Sequence, residues 1–316
     1  MAYSDYMAGA ELVLSVLPTA PERIGDDHTL PVTPETIATQ VGECAARGAT
    51  VASLYGWTDS GEPTPEALPE VGAAVRQQTP DVLVEYGVPP TCPLGDYLDI
   101  VDTHPRPDIA RVPLSPRQHG QRGVQRLSRH DVERFLDELG DRHIKPNLLV
   151  SGGRDVHELY RLLETDRVSE PVVTLRLGAR DGAVATPLSL IALLDALPSA
   201  ATAVVAATGP NQYPLTTMAM FLGAHVRVGM GDNRYLGFEE PVDRNIQLVQ
   251  RVAEALYHSE RSFADTATTM TELSVDGRRA DPSEGLLALE ESYINERPVS
   301  IYHPSLISIY EGYGRE

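Results

Sequence analysis

The sequence predicts an α/β protein, a (β/α)8 TIM barrel over residues 1–279 with a C-terminal arm over 280–316. Three observations carry this. Short apolar runs alternate with helical stretches eight times in order. The runs are nearly unbroken in apolar character, as suits parallel strands covered on both faces. No Gly-rich dinucleotide fingerprint follows the first run, which argues against the doubly wound open sheet that the same alternation admits.

The first run, 12–17, reads Leu-Val-Leu-Ser-Val-Leu. Thr33-Pro34-Glu35 then starts a helix, with Thr as N-cap and Pro at the first position, and Gly48 ends it. Strand two is 50–55 and opens into a polar loop. A helix over Pro65–Gln78 leads to strand three, 82–86. A short helix over 94–101 leads to strand four, 108–114. The stretch 117–122, Arg-Gln-His-Gly-Gln-Arg, reads as a long irregular loop. Ser128 with Asp131 three residues on predicts a capped helix to Leu139. Strand five is 147–151, strand six 172–177 and strand seven 202–207. Thr186-Pro187 opens one of the intervening helices. Strand eight is His225–Gly229, and a last helix spans about 242–257. The arm carries Tyr293, Tyr302, Tyr310 and Tyr313 and reads as an extension that wraps a neighbouring subunit.

Strand eight concentrates the chemistry. Side chains alternate along a strand, so His225 and Arg227 share one face while Val226 and Val228 take the helix-facing one. Arg is rarely buried without a partner, so Arg227 calls for an anion, from Asp232 just beyond the strand or from a ligand. Both readings stand at this point. His225 lies deeper in the barrel and reads as a hydrogen-bonded core residue.

Barrel active sites lie at the C-terminal strand ends. That rule selects Ser53, Tyr55 and Trp57, Glu85 and Tyr86, and Arg111 and Ser115. It also selects Ser151, Arg176 and Arg180, Asn211 and Gln212, and Arg227, Asp232 and Asn233. From these we take Arg227 and Asp232 as candidate catalytic residues. Tyr55, Arg111, Ser151, Asn211 and Asn233 are candidate substrate-binding residues. The set is rich in Arg, Tyr and amides and poor in His and carboxylate, which suits an anionic organic acid better than a divalent metal. Lys145, at the foot of a strand, faces away from that end. No Gly-x-Ser-x-Gly elbow is present.

The net charge is -19, with a single lysine among many arginines. An acidic surface argues against nucleic-acid and anionic-membrane partners. It fits a protein adapted to high salt; an Arg-rich, high-GC genome is the competing account of the missing lysines. No apolar run reaches the ~18 residues of a membrane span. The start lacks the pattern of a secretory signal, and Cys44 and Cys92 make no disulfide framework, so a cytoplasmic protein is expected.

Several stretches together resemble the β-keto acid cleavage enzymes, the family that includes 3-keto-5-aminohexanoate cleavage enzyme. They are 31–37 (Pro-Val-Thr-Pro-Glu-Thr-Ile), Gly48-Ala49-Thr50, 59–64 (Asp-Ser-Gly-Glu-Pro-Thr), Arg106-Pro107-Asp108 and Ile144-Lys145-Pro146. The most specific is 223–229 (Gly-Ala-His-Val-Arg-Val-Gly) with Asp232-Asn233; 245–249 (Asn-Ile-Gln-Leu-Val) also matches. The resemblance implies a barrel, a homo-oligomer (tetramer or dimer), and a zinc-assisted condensation of a β-keto acid with acetyl-CoA followed by carbon–carbon cleavage. It implies zinc ligands at the positions held here by Ser53, Tyr55 and Gly231, none of which is a ligand type zinc favours. Gly87 and Arg111 also depart from the family pattern. Arg227 and Asp232 keep it, and the resemblance gives them substrate-charge binding and proton transfer. The expectation is a divergent member without zinc, cleaving or forming a carbon–carbon bond in a keto acid or related carboxylate. A CoA ester stays open as co-substrate. The alternative is a non-catalytic homologue, a small-molecule sensor or an assembly partner of an active paralogue.

Overall fold

The computed structural model describes residues 11–20, 30–58, 62–89, 92–114, 117–119, 123–125, 127–179, 182–237, 240–259 and 261–275. The C-terminal arm expected over 280–316, and Arg180 and Ser115, lie outside them.

Eight parallel strands close into a barrel: β1 (Leu14–Val16), β2 (Val51–Leu54), β3 (Leu83–Tyr86), β4 (Ile109–Pro113), β7 (Lys145–Val150), β8 (Val172–Leu177), β9 (Thr202–Ala207) and β10 (His225–Val228). Strand β10 pairs with β1, setting Arg227 against Ser15, and this closes the ring. Two strands fall between β4 and β7 in sequence: β5 (Arg117–His119) and β6 (Gly123–Gln125). They form an antiparallel hairpin where the sequence reading had an irregular loop. Strands of three residues, with one valine between them, are too short to show an apolar alternation. A second small hairpin, β11 (Tyr235–Gly237) with β12 (Glu240–Pro241), follows the last barrel strand.

The helices start where their caps require. Helix α1 (Pro34–Ala45) begins at Thr33, whose hydroxyl accepts from the Thr36 N–H. Next come α2 (Leu68–Gln78) and α3 (Leu94–Asp99). Helix α4 (Arg129–Asp141) carries the expected box, Ser128 with Asp131, in both directions. Then follow α5 (Gly153–Glu164), α6 (Pro187–Asp195, capped by Thr186), α7 (Gln212–Phe221) and α8 (Asn245–Tyr257). Their apolar faces and the outward strand residues, Val226 and Val228 among them, make the main core. Cys44 is buried in it, and burial first, then Glu43, pushes its thiol up to about 12, so it stays protonated.

A second core fills the barrel's lower end. Val13, Val51, Leu83, Ile109, Val172 and Val204 point inward there. Helix α9 (Thr266–Glu272), which the sequence reading missed, runs beside Ala264, Leu273 and Val275 of the same cluster and plugs that end. His225 sits in this region as a core residue: its Nδ1 accepts from the Val13 N–H at 3.0 Å, which leaves the ring proton for Nε2. Lys145 donates from Nζ to the Glu170 carbonyl at 2.8 Å, away from the opposite end. Among the described residues no helix is long and apolar enough to cross a membrane.

Candidate active site

The period-two rule converts the apolar lower layer into a polar upper one. Two residues beyond Val51, Leu83, Ile109 and Val172 stand Ser53, Glu85, Arg111 and Thr174; two beyond His225 stands Arg227. All five are buried. The C-terminal end of the barrel is therefore lined with polar groups that must satisfy one another or a ligand.

Glu85 is the hub. It accepts from the Ser53 hydroxyl on the neighbouring strand, from Arg111 Nη2 at 2.9 Å and from Asn147 Nδ2. Asn147 lies on β7 and Glu85 on β3, with β4 between them, so this bond crosses the barrel interior. Thr174 donates to Asn147 Oδ1 at 3.0 Å and fixes the amide's orientation. Burial opposes ionisation of Glu85, but Arg111 and Arg227 nearby, helped by the Ser53 hydroxyl, outweigh it and hold the carboxyl below its ordinary range. Burial likewise opposes the charge on Arg111, and Tyr55 and Glu85 overcome it, so the guanidinium stays protonated. Arg111 Nη1 donates to Tyr55 OH at 2.5 Å, and its Cζ lies 4.7 Å from the Tyr55 ring centre. A Cβ on Gly87 would come within 2.8 Å of both Arg111 Nη1 and the Tyr55 ring. Gly87 is thus the space this stack occupies.

A second carboxylate stands across the mouth. Arg227 Nε and Nη2 donate to the two oxygens of Asp232 at 2.9 and 3.3 Å, a bidentate buried pair. Both readings of the pair survive: it locks the turn, and it still has capacity to bind. Arg227 Nη1, Arg111 Nε and Arg176 Nε are buried N–H groups without a hydrogen-bond partner among the described residues. Arg176 Nε stands 3.9 Å from Asp232 Oδ1.

The other expected residues divide. Tyr55 and Arg111 belong to the network. Ser151 is buried after β7, its N–H held by Asp155 at 2.6 Å and its carbonyl by the Ala183 N–H. Asn233 is buried, but its amide is spent on the Tyr235 main chain, in both directions. Asn211 is exposed at the N-cap of α7. Sequence reasoning undervalued Glu85. Its signal was present, a lone charge inside Val-Leu-Val-Glu-Tyr, which burial can tolerate only with a partner. Arg176 carries the same mark inside Val-Val-Thr-Leu-Arg-Leu and stands among the strand-end residues; Asn147 and Thr174 carry no comparable local mark.

The three positions implied as zinc ligands do not make a zinc site. Ser53 donates to Glu85, and the Tyr55 hydroxyl oxygen accepts a hydrogen bond from Arg111. A Cβ on Gly231 would fall 2.4 Å from the Thr19 carbonyl oxygen, so a carboxylate side chain has no room there. No group of three or more His, Cys, Asp or Glu among the described residues could hold a metal. A separate cavity of about 430 Å³ lies between α4 and α5. Its Arg129, Arg161 and Glu158 pair with each other, and no residue of the arginine cluster lines it.

Comparison with known proteins agrees with the fold. The family described as "beta-keto acid cleavage enzyme" matches residues 11–274. A 3-keto-5-aminohexanoate cleavage enzyme of Acetoanaerobium sticklandii is 26% identical over 226 residues, 71% of this chain and 83% of that one. The enzyme of the same name from Fusobacterium nucleatum is 25% identical over 244 residues, 74% of this chain and 87% of that one. Among solved structures, apo ObcA superposes with a TM-score of 0.63 at 15% identity, over 78% of this chain and 65% of that one. A binary complex of ObcA with oxaloacetate gives 0.65 at 15% identity, over 78% and 67%. At such identity these structures speak for the fold.

Proposed function

This chain belongs to the beta-keto acid cleavage enzyme family, and from that premise we propose that it cleaves or forms a carbon–carbon bond in a small keto acid, by acyl transfer and without zinc. The observation that carries the reading is the buried Arg227–Asp232 pair, with a spare Arg227 N–H, facing the Arg111–Glu85 pair across one barrel mouth. In this reading Arg227 receives the substrate's charge through Nη1. Asp232 takes a proton from the carbon beside the keto group, and the electron pair moves onto the keto oxygen. The guanidiniums then stabilise that oxyanion in a dry site, where fixed donors act most strongly. The residues at the implied ligand positions do not fit zinc, so no step is assigned to it. A CoA ester is the acyl partner that the family relationship suggests, and ObcA, whose fold this chain shares, has been solved with a C4-CoA adduct and oxalate.

Leu188 and Ile191, one turn apart and exposed on α6, support a second copy covering that face. A sensor reading draws on the same pairs, since mutual neutralisation also suits binding without turnover. Turnover separates the two. Arg227→Ala is expected to lower kcat/KM by about 10²–10³-fold on any keto acid the wild type converts, the effect of removing one oxyanion donor. Unchanged turnover in that variant sinks the catalytic reading.

A further inference from the structure

Charge counting in the mouth restricts the substrate further. Among the described residues three guanidiniums, Arg111, Arg176 and Arg227, stand against two paired carboxylates, Glu85 and Asp232, so this cluster holds one uncompensated positive charge. Both carboxylates already accept hydrogen bonds from within the cluster. Glu85 accepts hydrogen bonds from Arg111, Ser53 and Asn147. Asp232 accepts two from Arg227. Asp155, the buried acid in the first turn of α5, holds the Ser151 N–H through Oδ2, while its buried Oδ1 has no hydrogen-bond partner among the described residues; it contacts none of the three guanidiniums.

A ligand that brings an ammonium group meets an excess of like charge in this cluster. A ligand that brings a carboxylate finds two unused donors beside Asp232. Arg227 Nη1 is buried and unpartnered, and so is Arg176 Nε, which sits beyond hydrogen-bond distance from the same Asp232. Arg176 lies on the inner face, two residues beyond Thr174, and its side chain keeps 20% exposure while Asp232 keeps 1%. It is the most accessible guanidinium of the three.

Resting on the function proposed above, we infer that Arg176 and Arg227 together grip one carboxylate, and that the site selects a keto acid carrying no amino group. Arg176 is the specificity-determining residue, because it supplies the unbalanced charge. Removing it brings the cluster to neutrality and removes the reason to reject an ammonium.

The test is a matched pair, 3-oxohexanoate against 5-amino-3-oxohexanoate, with binding read by calorimetry on the full chain. The wild type is expected to bind the first about tenfold or more tighter than the second. Arg176→Gln is expected to weaken 3-oxohexanoate by about tenfold and to narrow the preference, while Arg176→Lys, which keeps the charge, retains the preference. Circular dichroism checks that both variants keep the barrel. Equal or tighter binding of the amino compound, or an Arg176→Gln variant that binds 3-oxohexanoate unchanged, overturns the inference and leaves the proposed function standing. Failure to bind either compound overturns both. Discrimination in binding without any turnover supports the inference and counts against catalysis alone.

Discussion

Arg111→Met tests the arrangement at its centre. The substitution removes both the cation that neutralises Glu85 and the partner of Tyr55. Glu85 is 1% exposed and keeps only the Ser53 and Asn147 hydrogen bonds and the more distant field of Arg227. Breaking a buried pair from one side costs about 3–5 kcal/mol, because the remaining charge is uncompensated. For a barrel of this size that corresponds to a drop in Tm of about 6–20 °C. The pH dependence should invert as well. In the wild type Glu85 ionises below its ordinary 4.5, so its contribution is present above that pH and is lost as pH falls through the folded value. In Arg111→Met burial wins, the folded pKa moves above 4.5, and stability instead falls as pH rises through the new value. Thermal melts from about pH 2 to about pH 8 on both proteins read both windows. The double variant Glu85→Gln/Arg111→Met, with no buried charge left at the pair, should recover most of the loss. A single variant within about 1 kcal/mol of wild type, with the same pH slope, would refute the claim that these two groups form a dry, mutually dependent pair.

Two further outcomes follow from the same structure. Gly87→Ala should cost about 1–3 kcal/mol by overpacking the Arg111–Tyr55 stack, and the loss should shrink when Tyr55 is also made Ala; a denaturation double-mutant cycle showing strict additivity would contradict the contact. With a net charge of -19, raising KCl from about 0.1 to about 2 M should raise Tm, because screening relieves self-repulsion; a flat Tm would remove the high-salt reading of the composition.

Much of the fold is written locally. The strands β8 and β9 begin and end where the apolar runs do, and Thr33, Ser128 and Thr186 cap the helices that their hydroxyls announce. The alternation of His225 and Arg227 placed one in the lower core and the other in the mouth. The rest depends on closure. The Asn147–Glu85 bond joins residues 62 apart in sequence, and Arg111–Glu85 joins residues 26 apart. Which side chains meet is set by barrel stagger, which no local pattern encodes. For the same reason Ser53, Tyr55, Gly87 and Arg111 read as four separate departures from a family pattern. In the folded chain they are one unit, gathered around Glu85. The closing helix α9 escaped notice because its sequence, Thr-Ala-Thr-Thr-Met-Thr-Glu, is short and polar.

The proposed reaction is keto-acid chemistry in a guanidinium-lined mouth, without a metal. The direct measurement is turnover of a keto acid with an acyl-CoA by protein dialysed against a strong chelator, then assayed with and without added zinc. We expect the same rate in both conditions, and a loss of that rate in Arg227→Ala. Activity that disappears on chelation and returns with stoichiometric zinc would contradict the account.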